Sequence, residues 1–360
     1  MDPFVYNARP GRVVFGAGAL RHLEREMDLM GTQRAIVLST TGQRAQAQKV
    51  VGLLGTKAVG IFDRAAMHVP VELVHQAVGR ANELDADCAV AIGGGSTIGL
   101  AKAIALAVST DDPIPILAIP TTYAGSEVTP VFGLTENGSK RTGMDLRVLP
   151  RTVIYDPELT LTLPVSISIA SGFNAMAHAA EGLYAKDCNP VTSLMASEGI
   201  RTLASVLPLV VRQPTDLHVR GQAQYGAWMC GTVLGSVGMA LHHKLCHVLG
   251  GSFNLPHAET HTVVLAHALA YNAACAPGAM KAIAAALGVA SATQGLHELA
   301  LACGAPTSLR ELGLRADELD RAAQIACSNP YWNPRPVQYD AVRALLQNAF
   351  DGVGPVTEVP

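Results

Sequence analysis

Short, continuously apolar runs alternate with helix-length segments over about the first 160 residues of the chain. These runs lack the polar alternation of a strand with one face in water, so each is predicted to be a strand buried on both sides. Strands of this kind, separated by helices, are typical of a parallel sheet that carries helices on both faces. The predicted strands cover residues 13–15, 35–38, 59–62, 88–92, 114–119 and 152–155.

Beyond about residue 165 the pattern changes to Ala-rich segments with helical spacing, and no strand-like run interrupts them. The predicted helices cover residues 168–186, 190–211, 216–249, 256–274, 278–287, 292–303, 317–328 and 336–349. We therefore predict two domains, an α/β domain over residues 1–162 and an all-helical domain over residues 163–360. Residues 329–336, NPYWNPRP, contain too much proline for regular structure and are predicted to form an ordered loop.

Composition and charge exclude several classes of protein. With 360 residues, of which 49% are hydrophobic and 15% charged, the chain can form a large buried interior. A formal net charge of −3 and the absence of a basic cluster argue against a nucleic-acid partner. The seven cysteines include no CxxC pair, which argues against a disulfide framework or a thiolate zinc site. Because the sequence shows neither an apolar leader nor a run of about 20 apolar residues, we expect a cytoplasmic protein with no membrane partner.

The densest candidate chemistry lies in residues 237–261, which hold five of the twelve histidines. His243 and His247 are four residues apart, as are His257 and His261, so each pair shares a face if its segment is helical. Between the pairs, the sequence GGSFNLP predicts the end of one helix and the start of the next. Imidazole titrates near neutral pH and is the commonest metal ligand, so we expect a catalytic or metal site here. The alternative is a pair of core helices whose histidines bond to nearby carbonyls.

A glycine-rich turn follows the predicted strand at 88–92 and precedes a predicted helix. The turn consists of Gly93, Gly94, Gly95 and Ser96. Glycines let the backbone approach a ligand closely, and a helix N-terminus offers free N–H groups to an anion, as in pyrophosphate binding. The spacing is neither GxGxxG nor that of an ATP-hydrolysing loop, and a simple tight turn is the alternative. Lys102, farther along the helix, is expected to reach a phosphate or a ribose.

Hydroxyl side chains follow two other predicted strands. After residues 114–119 come Thr121, Thr122, Tyr123 and Ser126, which are expected to line the same crevice. After residues 35–38, Ser39 and Thr40 stand where dinucleotide-binding folds often place a carboxylate that holds the ribose and repels a 2′-phosphate. Because this carboxylate is missing, we expect both NADH and NADPH to serve as the cofactor.

Together these motifs resemble those of the iron-containing alcohol dehydrogenase family. The matching stretches are GGGSxxxxAK at 93–102, PTTxxxSEVT at 120–129, NAMAH at 174–178, HHKLCH at 242–247 and PHAETH at 256–261. They occur in the family's order over nearly the whole chain. The resemblance implies a Rossmann-like nucleotide domain followed by a helical domain, with the active site in the cleft between them.

Carried over residue by residue, the family's four metal positions fall on Asn174, His178, His243 and His257. Metal-dependent members have Asp where Asn174 stands, and the family commonly has Asp where Gly99 stands. A neutral amide in place of the carboxylate removes the only anionic ligand for a hard divalent ion, although three imidazoles can still hold zinc. The resemblance therefore implies a vestigial metal site, and no metal cofactor is expected.

In both departures, Asn174 and Gly99, the chain resembles one branch of the family in particular. Its members reduce the carbon–carbon double bond of an unsaturated oxo-dicarboxylate during bacterial degradation of aromatic rings. The resemblance implies a homodimeric oxidoreductase that uses NADH or NADPH without a metal. The alternatives are a metal-dependent alcohol or aldehyde dehydrogenase on the same fold, a lyase similar to dehydroquinate synthase, and a non-catalytic nucleotide- or metal-sensing protein.

Without a metal, the substrate's ketone oxygen needs another group to stabilise its developing charge. His178, His243 and His257 are expected to donate hydrogen bonds to it and to act as general acids. His243 ranks first as the proton donor, and His247 is expected to support it, with a helix-interface role as the alternative. For the substrate's carboxylates, the candidate cations are Lys244, Arg141 and Arg335.

Overall fold

The computed structural model describes residues 4–8, 11–108, 113–136 and 139–356, without the side chains of residues 139 and 140. The chain divides into two compact units. One unit is Ala8–Leu163, and the other combines Pro164–Pro360 with Met1–Asn7. The main boundary therefore lies one residue from the boundary suggested by the sequence pattern.

The first unit is built on a six-stranded sheet in which all neighbouring strands are parallel. The strands of the unit are β1 Arg12–Phe15, β2 Ala35–Leu38, β3 Ala58–Phe62, β4 Cys88–Gly93, β5 Ile116–Pro120, β6 Val131–Glu136, β7 Ser139–Met144 and β8 Thr152–Tyr155. The order across the six-stranded sheet is β1-β8-β5-β4-β2-β3. The six predicted strands and their parallel arrangement are confirmed.

Helices cover both faces of this sheet, as the unalternating apolar runs predicted. The α-helices are α1 Leu23–Met30, α2 Arg44–Leu54, α3 Val71–Glu83 and α4 Gly95–Val108. Successive residues of one strand enter opposite cores, because side chains alternate along a strand. Ile36 belongs to the same buried cluster as Ala77 of α3, whereas Val37 belongs to that of Leu23 of α1, and both strand residues are completely buried.

The hairpin formed by β6 and β7 was missed by the sequence analysis. Its two strands pair antiparallel, and β6 is only half-buried. A strand exposed to this degree gives no continuous apolar run, so the criterion that identified the other strands could not detect it. The hairpin is tied to the unit by a bridge between Pro70 and Thr135.

The second unit is helical throughout its described residues, which confirms the predicted fold class. Its helices are α5 Val165–Gly182, α6 Pro190–Arg212, α7 Leu217–Leu234, α8 Leu241–Phe253, α9 His257–Asn272, α10 Pro277–Leu287, α11 Ala292–Ala302, α12 Leu319–Ser328 and α13 Tyr339–Asp351. By length and composition α6 is apolar enough to cross a membrane, with 44% of its most apolar window buried in the protein. It packs against α5 and α7 and carries an ion pair between Arg201 and Glu198, as expected of a core helix.

Two helix boundaries differ from the predictions. The segment 216–249 forms two helices rather than one, because the chain leaves the helical path between Leu234 and Leu241. Helix α8 also continues through the glycine pair that was predicted to end it. It ends instead at Asn254, whose φ of 55° gives the left-handed cap that asparagine tolerates better than most residues.

Candidate functional site

In the first unit, three adjacent strands bring the predicted nucleotide-binding residues to one edge of the sheet. Strands β5, β4 and β2 are neighbours and parallel, so their carboxyl ends share that edge. The glycine turn follows β4, Thr121 follows β5, and Ser39 follows β2. From β2 the chain continues to β3 on one side of the sheet, and from β4 it continues to β5 on the other side, so the strand order reverses between β2 and β4. Folds of this kind bind their ligands at that reversal.

The glycine turn is shaped for close backbone approach. Helix α4 begins at Gly95, and the backbone N–H of Thr97 donates to Gly94 O at 3.1 Å. A Cβ on Gly93 would lie 2.4 Å from Thr97 Oγ1, and one on Gly94 would lie 2.8 Å from Thr122 Cγ2. A Cβ on Gly95 would meet nothing within 4 Å. The first two positions therefore need glycine for the fold itself, whereas Gly95 leaves the helix N-terminus open to a ligand.

Polar groups link the loops at this edge. Gln43 donates from Nε2 to Thr121 Oγ1 at 2.7 Å, and Thr40 Oγ1 donates to Gln43 Oε1 at 3.1 Å. Ser39 is completely buried, so Thr40 is the residue of that pair with a surface available to a ribose. The hydroxyls of Ser39 and Thr97 are buried and have no hydrogen-bond partner within the described part of the chain.

The prediction that Lys102 reaches a phosphate or a ribose is wrong. Its side chain is completely buried, and Nζ donates to Ser126 O, Ser126 Oγ, Thr129 Oγ1 and Val131 O at 2.7 to 3.2 Å. Burial lowers the pKa of Lys102 to about 7, opposed by the charge of Glu127, and the four oxygen acceptors favour the ammonium form. Lys102 therefore holds the loop after β5 in place.

The same geometry corrects the cofactor assignment of Tyr123 and shows what holds Ser126. Ser126 Oγ accepts a hydrogen bond from Lys102, and Tyr123 is completely buried. Tyr123 thus belongs to the packing beneath the loop, whereas Ser126 is half-buried and bonded to Lys102. The neighbouring Glu127 is also buried and accepts a hydrogen bond from Tyr155 Oη at 2.8 Å. Thr121 is buried and donates its backbone N–H to Gly93 O at 3.0 Å, and Thr122 is half-buried beside Gly94, so both lie next to the glycine turn.

In the second unit, α5 presents three polar residues along one buried face. Asn174, His178 and Glu181 lie four and three residues apart, so a helix places them on the same side. Glu181 is completely buried and was not identified from the sequence. Its Oε2 accepts from His243 Nδ1 at 2.6 Å and from the Ala240 N–H at 3.0 Å.

Glu181 also caps the start of helix α8. The backbone N–H of His242 donates to Glu181 Oε1 at 2.8 Å, and that of His243 donates to Oε2 at 3.3 Å. Burial alone would raise the pKa of this carboxyl group, but the hydrogen bond and charge of His243 outweigh it and lower the pKa to about 2. The helix N-terminus adds to the stabilisation of the anion. Glu181 is therefore a carboxylate at neutral pH.

A charged Glu181 fixes the tautomers of the next two residues. The carboxylate accepts from His243 Nδ1, so that nitrogen carries the proton. His243 Nε2 lies 2.8 Å from His178 Nδ1 and, in the neutral form of the His243 ring, is the nitrogen that accepts from it. The result is a chain of hydrogen bonds from Glu181 through His243 to His178, which we call the Glu–His–His chain.

Further rings surround this chain and form a histidine cluster of His178, His242, His243, His247, His257 and His261. His261 is its centre, with ring centroids 4.5 Å from His257, 4.8 Å from His242 and 5.0 Å from His243. Burial lowers the pKa of His242 to about 3 and that of His261 well below the ordinary value. His242 and His261 are therefore neutral at neutral pH.

Exposure shows where a substrate can meet this cluster. His247 is exposed and His257 is half-buried, whereas His178 and His243 are almost completely buried. The cluster is thus open on the side of His247 and His257. Since both nitrogens of His243 are engaged, it can protonate a substrate only if it gives up its hydrogen bond to His178. The predicted pairing of His243 with His247 on one side of a helix agrees with their ring separation of 6.3 Å.

The four family metal positions fit a hard divalent ion poorly. Asn174 offers a neutral amide whose Oδ1 is buried without a hydrogen-bond partner in the described chain. The Nε2 of His243, the nitrogen that would face an ion, lies at hydrogen-bond distance from His178. These four positions therefore offer no anionic oxygen, and the ion-facing nitrogen of His243 already shares a hydrogen bond with His178. A separate group of possible ligand atoms, on His242, Cys246 and His261, lies within 4.8 Å but consists of mutually hydrogen-bonded rings and a thiol.

The three cations proposed for the substrate's carboxylates have different surroundings. Arg141 lies in β7 and pairs with Glu136 on an exposed surface of the first unit. Arg335 stacks on the Tyr271 ring at 4.4 Å and donates to Tyr271 O at 3.2 Å. Lys244 lies in α8, half-buried, with Nζ 5.6 Å from the centre of the Tyr331 ring. Lys244 is the best placed of the three because it follows His243 directly.

Comparisons with known proteins agree with these features along the whole chain. Models of the family described as iron-containing alcohol dehydrogenase match residues 10–157, and its C-terminal counterpart matches residues 168–350. A maleylacetate reductase of Burkholderia cepacia is 61% identical over 355 residues, which are 99% of this chain and 100% of that protein. One of Sphingobium indicum is 55% identical, covering 98% and 99%. The solved maleylacetate reductase of Agrobacterium tumefaciens is 54% identical, with a TM-score of 0.94 and coverage of 99% and 100%.

Proposed function

Because the chain belongs to the iron-containing alcohol dehydrogenase family, we propose that it reduces the carbon–carbon double bond of maleylacetate to give 3-oxoadipate. The hydride donor is NADH or NADPH, and the reaction needs no resident metal. The observation that carries this proposal is the Glu–His–His chain beside Asn174, where the family's carboxylate ligand is replaced by an amide. Full-length similarity to several maleylacetate reductases supports the substrate.

The substrate's chemistry explains why a metal can be dispensed with. Its alkene is conjugated to a ketone, so hydride addition at the carbon remote from the ketone places negative charge on the ketone oxygen as an enolate. An electron-poor alkene needs less electrophilic help than an isolated carbonyl. The bound nicotinamide supplies the hydride. The protein must then stabilise the enolate and deliver one proton to the other alkene carbon.

The histidine cluster can perform both tasks. Glu181 keeps a negative charge next to His243, and this charge stabilises a proton loaded onto the His178–His243 pair. A protonated ring beside the enolate oxygen donates a hydrogen bond to it and subsequently releases the proton. One C–H bond thus forms from the hydride and the other from the imidazolium. The half-buried His257 lies on the open side of the cluster and is proposed to orient the ketone oxygen.

The residues at the metal positions support a reaction that is not routed through a metal. A hard divalent ion would have to displace the hydrogen bond between His178 and His243 and would gain only the neutral Asn174 oxygen. Conversely, a protonated His178–His243 pair would present an N–H group of the kind that stabilises an oxyanion. We therefore assign electrophilic assistance to the imidazoles.

The first test is the reaction itself. We expect the purified protein to oxidise NADH when maleylacetate is added, with 3-oxoadipate identified as the product by mass spectrometry. No oxidation with maleylacetate, together with turnover of simple alcohols or aldehydes on addition of iron or zinc, would contradict the proposal. That result would favour a metal-dependent dehydrogenase on the same fold.

Two properties of the whole protein complete the proposal. We propose a homodimer, supported by the edge strand β1, which pairs with only one neighbour in the described sheet. We also propose a cytoplasmic location, supported by the seven cysteines, all of which are free thiols. Light scattering of the eluting protein tests the first property: twice the chain mass supports it, and the mass of one chain contradicts it.

A further inference from the structure

We propose that Lys244 and Tyr331 together bind one carboxylate of the substrate, an inference that rests on the proposed reduction of an oxo-dicarboxylate. Lys244 is half-exposed. Among the described residues of the helical unit, it forms no ion pair with an acidic side chain. Its Nζ lies 5.6 Å from the centre of the Tyr331 ring, on the face of that ring. A half-buried ammonium group without a carboxylate partner is a ready site for an anion.

Tyr331 supplies the second donor. Its hydroxyl is buried and has no hydrogen-bond partner in the described chain. An unsatisfied buried hydroxyl is costly, so such a group calls for a partner that the protein itself does not provide. Burial raises the pKa of Tyr331 well above the ordinary value, and the neighbouring Cys327 and Glu181 raise it further. The phenol therefore stays protonated and can donate to an anion.

The two donors can serve one carboxylate. The Lys244 ammonium lies over the ring of Tyr331, and the phenol hydroxyl lies at the rim of the same ring. One carboxylate has two oxygens and several acceptor sites, so it can accept from both donors at once. A charged donor sets the affinity, and a neutral hydroxyl in a fixed position sets the orientation.

The loop that carries Tyr331 is held in a fixed position. Asn333 Oδ1 accepts from the Leu241 N–H at 3.3 Å and from Asn272 Nδ2 at 3.0 Å, which joins the loop to the start of α8 and the end of α9. Asn333 Nδ2 donates to Asn272 Oδ1 at 2.7 Å. Because α8 also carries Lys244 and His243, these bonds fix Tyr331 relative to both. A site built on such anchored elements orders its ligand at little entropic cost.

The position relative to the histidine cluster suits a substrate carboxylate. Lys244 directly follows His243 in α8, about 100° further around the helix axis, so both side chains project from the same turn. Arg335, the other cation near this loop, is already committed to Tyr271 by stacking and by a hydrogen bond. The proline-rich loop was predicted from the sequence to be ordered, and this proposal gives that order a function.

The test compares Lys244→Ala, Tyr331→Phe and the control Lys281→Ala, an exposed lysine in α10. We expect KM for the dicarboxylate to rise roughly 10- to 150-fold in Lys244→Ala and about 3- to 10-fold in Tyr331→Phe, with kcat changed less than KM. Lys244→Arg should recover part of the loss, and the control should match the wild type. Phenylalanine keeps the ring packing, so the effect of Tyr331→Phe does not depend on folding.

Substrates esterified at one carboxylate locate the contact. The wild type should discriminate strongly against one of the two monoesters, and Lys244→Ala should remove that discrimination while leaving the response to the other monoester unchanged. Wild-type KM in both variants, or an equal loss with both monoesters, would overturn the proposal. A wild-type protein that does not turn over the dicarboxylate at all would instead overturn the proposed function.

Discussion

The Glu181 carboxylate lies 2.6 Å from Nδ1 of His243, and both side chains are withdrawn from solvent. In the neutral form of His243 this contact places the proton on Nδ1, which makes Nε2 the acceptor in the hydrogen bond to His178. A carboxylate that orients an imidazole in this way acts through it and does not touch the substrate.

Replacing Glu181 with Gln tests that role. Glutamine is nearly isosteric but cannot stabilise an imidazolium, so we expect kcat to fall about 10- to 100-fold with a smaller change in KM. The pH–rate profile should also shift to lower pH, because the protonated form of the His178–His243 pair loses its anionic partner. The matched control is Glu198→Gln in α6, where the carboxylate forms a surface ion pair with Arg201. An unchanged kcat and pH profile in Glu181→Gln would contradict the proposed role.

Glu181 should also contribute a pH-dependent part of the free energy of unfolding. Its pKa is about 2 in the folded chain against 4.5 ordinarily, so the unfolded state binds more protons between these values. The stabilisation is complete above pH 4.5 and is lost as the pH falls towards 2. Its size is on the order of 3 kcal/mol at pH 7 and roughly 1 kcal/mol at pH 3.

Denaturant unfolding of wild type and Glu181→Gln at these two pH values measures the contribution. We expect the difference in unfolding free energy between the two proteins to be clearly smaller at pH 3 than at pH 7. A difference that stays constant or grows as the pH falls would show that the carboxyl group is not held as an anion.

Two substitutions in the glycine turn should separate its effect on the stability of the fold from its effect on coenzyme binding. A Cβ at Gly93 would lie 2.4 Å from Thr97 and 2.9 Å from Gln43, so Gly93→Ala should destabilise the free protein by about 1–3 kcal/mol. A Cβ at Gly95 would meet no protein atom within 4 Å, so Gly95→Ala should leave the melting temperature unchanged or slightly higher. If a pyrophosphate approaches the turn, both variants should bind NADH at least about tenfold more weakly.

Calorimetric titration with NADH and thermal unfolding without it separate the two effects. Wild-type NADH affinity in Gly95→Ala would show that the coenzyme does not contact the N-terminus of α4.

The loop after β2 should permit both coenzymes. Ser39 and Thr40 provide no carboxylate to repel a 2′-phosphate, so the ratio of kcat/KM for NADH over NADPH should stay below about a thousandfold, roughly 4 kcal/mol. Thr40 is the accessible residue of the two, and Thr40→Asp should reduce the use of NADPH roughly tenfold while sparing NADH. A wild-type preference for NADH above a thousandfold would contradict this interpretation.

Much of the architecture could be predicted from local patterns. The six parallel strands gave unalternating apolar runs because both of their faces are covered, and the histidines of α8 and α9 showed helical spacing. The order of strands across the sheet and the β6–β7 hairpin were not predictable in this way. The order depends on long-range packing, and the hairpin is too exposed to produce an apolar signature.

The residues of the candidate site also divide into those that local spacing indicates and those that only long-range contacts reveal. The spacing of His178 and Glu181 on one helix face was visible in the sequence, and a search for carboxylates three or four residues from a candidate histidine would have identified Glu181. By contrast, Lys102 was assigned to a ligand because it lies in the helix that follows the predicted phosphate-binding turn, yet its hydrogen bonds go to a loop more than 20 residues away in sequence. Only the three-dimensional contacts reveal that role.

We propose that imidazoles replace a metal ion as the electrophile of the site. The direct test is kcat/KM for maleylacetate after exhaustive chelation, with residual metal measured in the same sample and His243→Ala assayed beside it. We predict that chelation leaves the rate within about twofold, while His243→Ala loses about 10²- to 10⁴-fold, the range usual for a general acid. Activity that disappears on chelation and returns in proportion to added iron or zinc would contradict the claim.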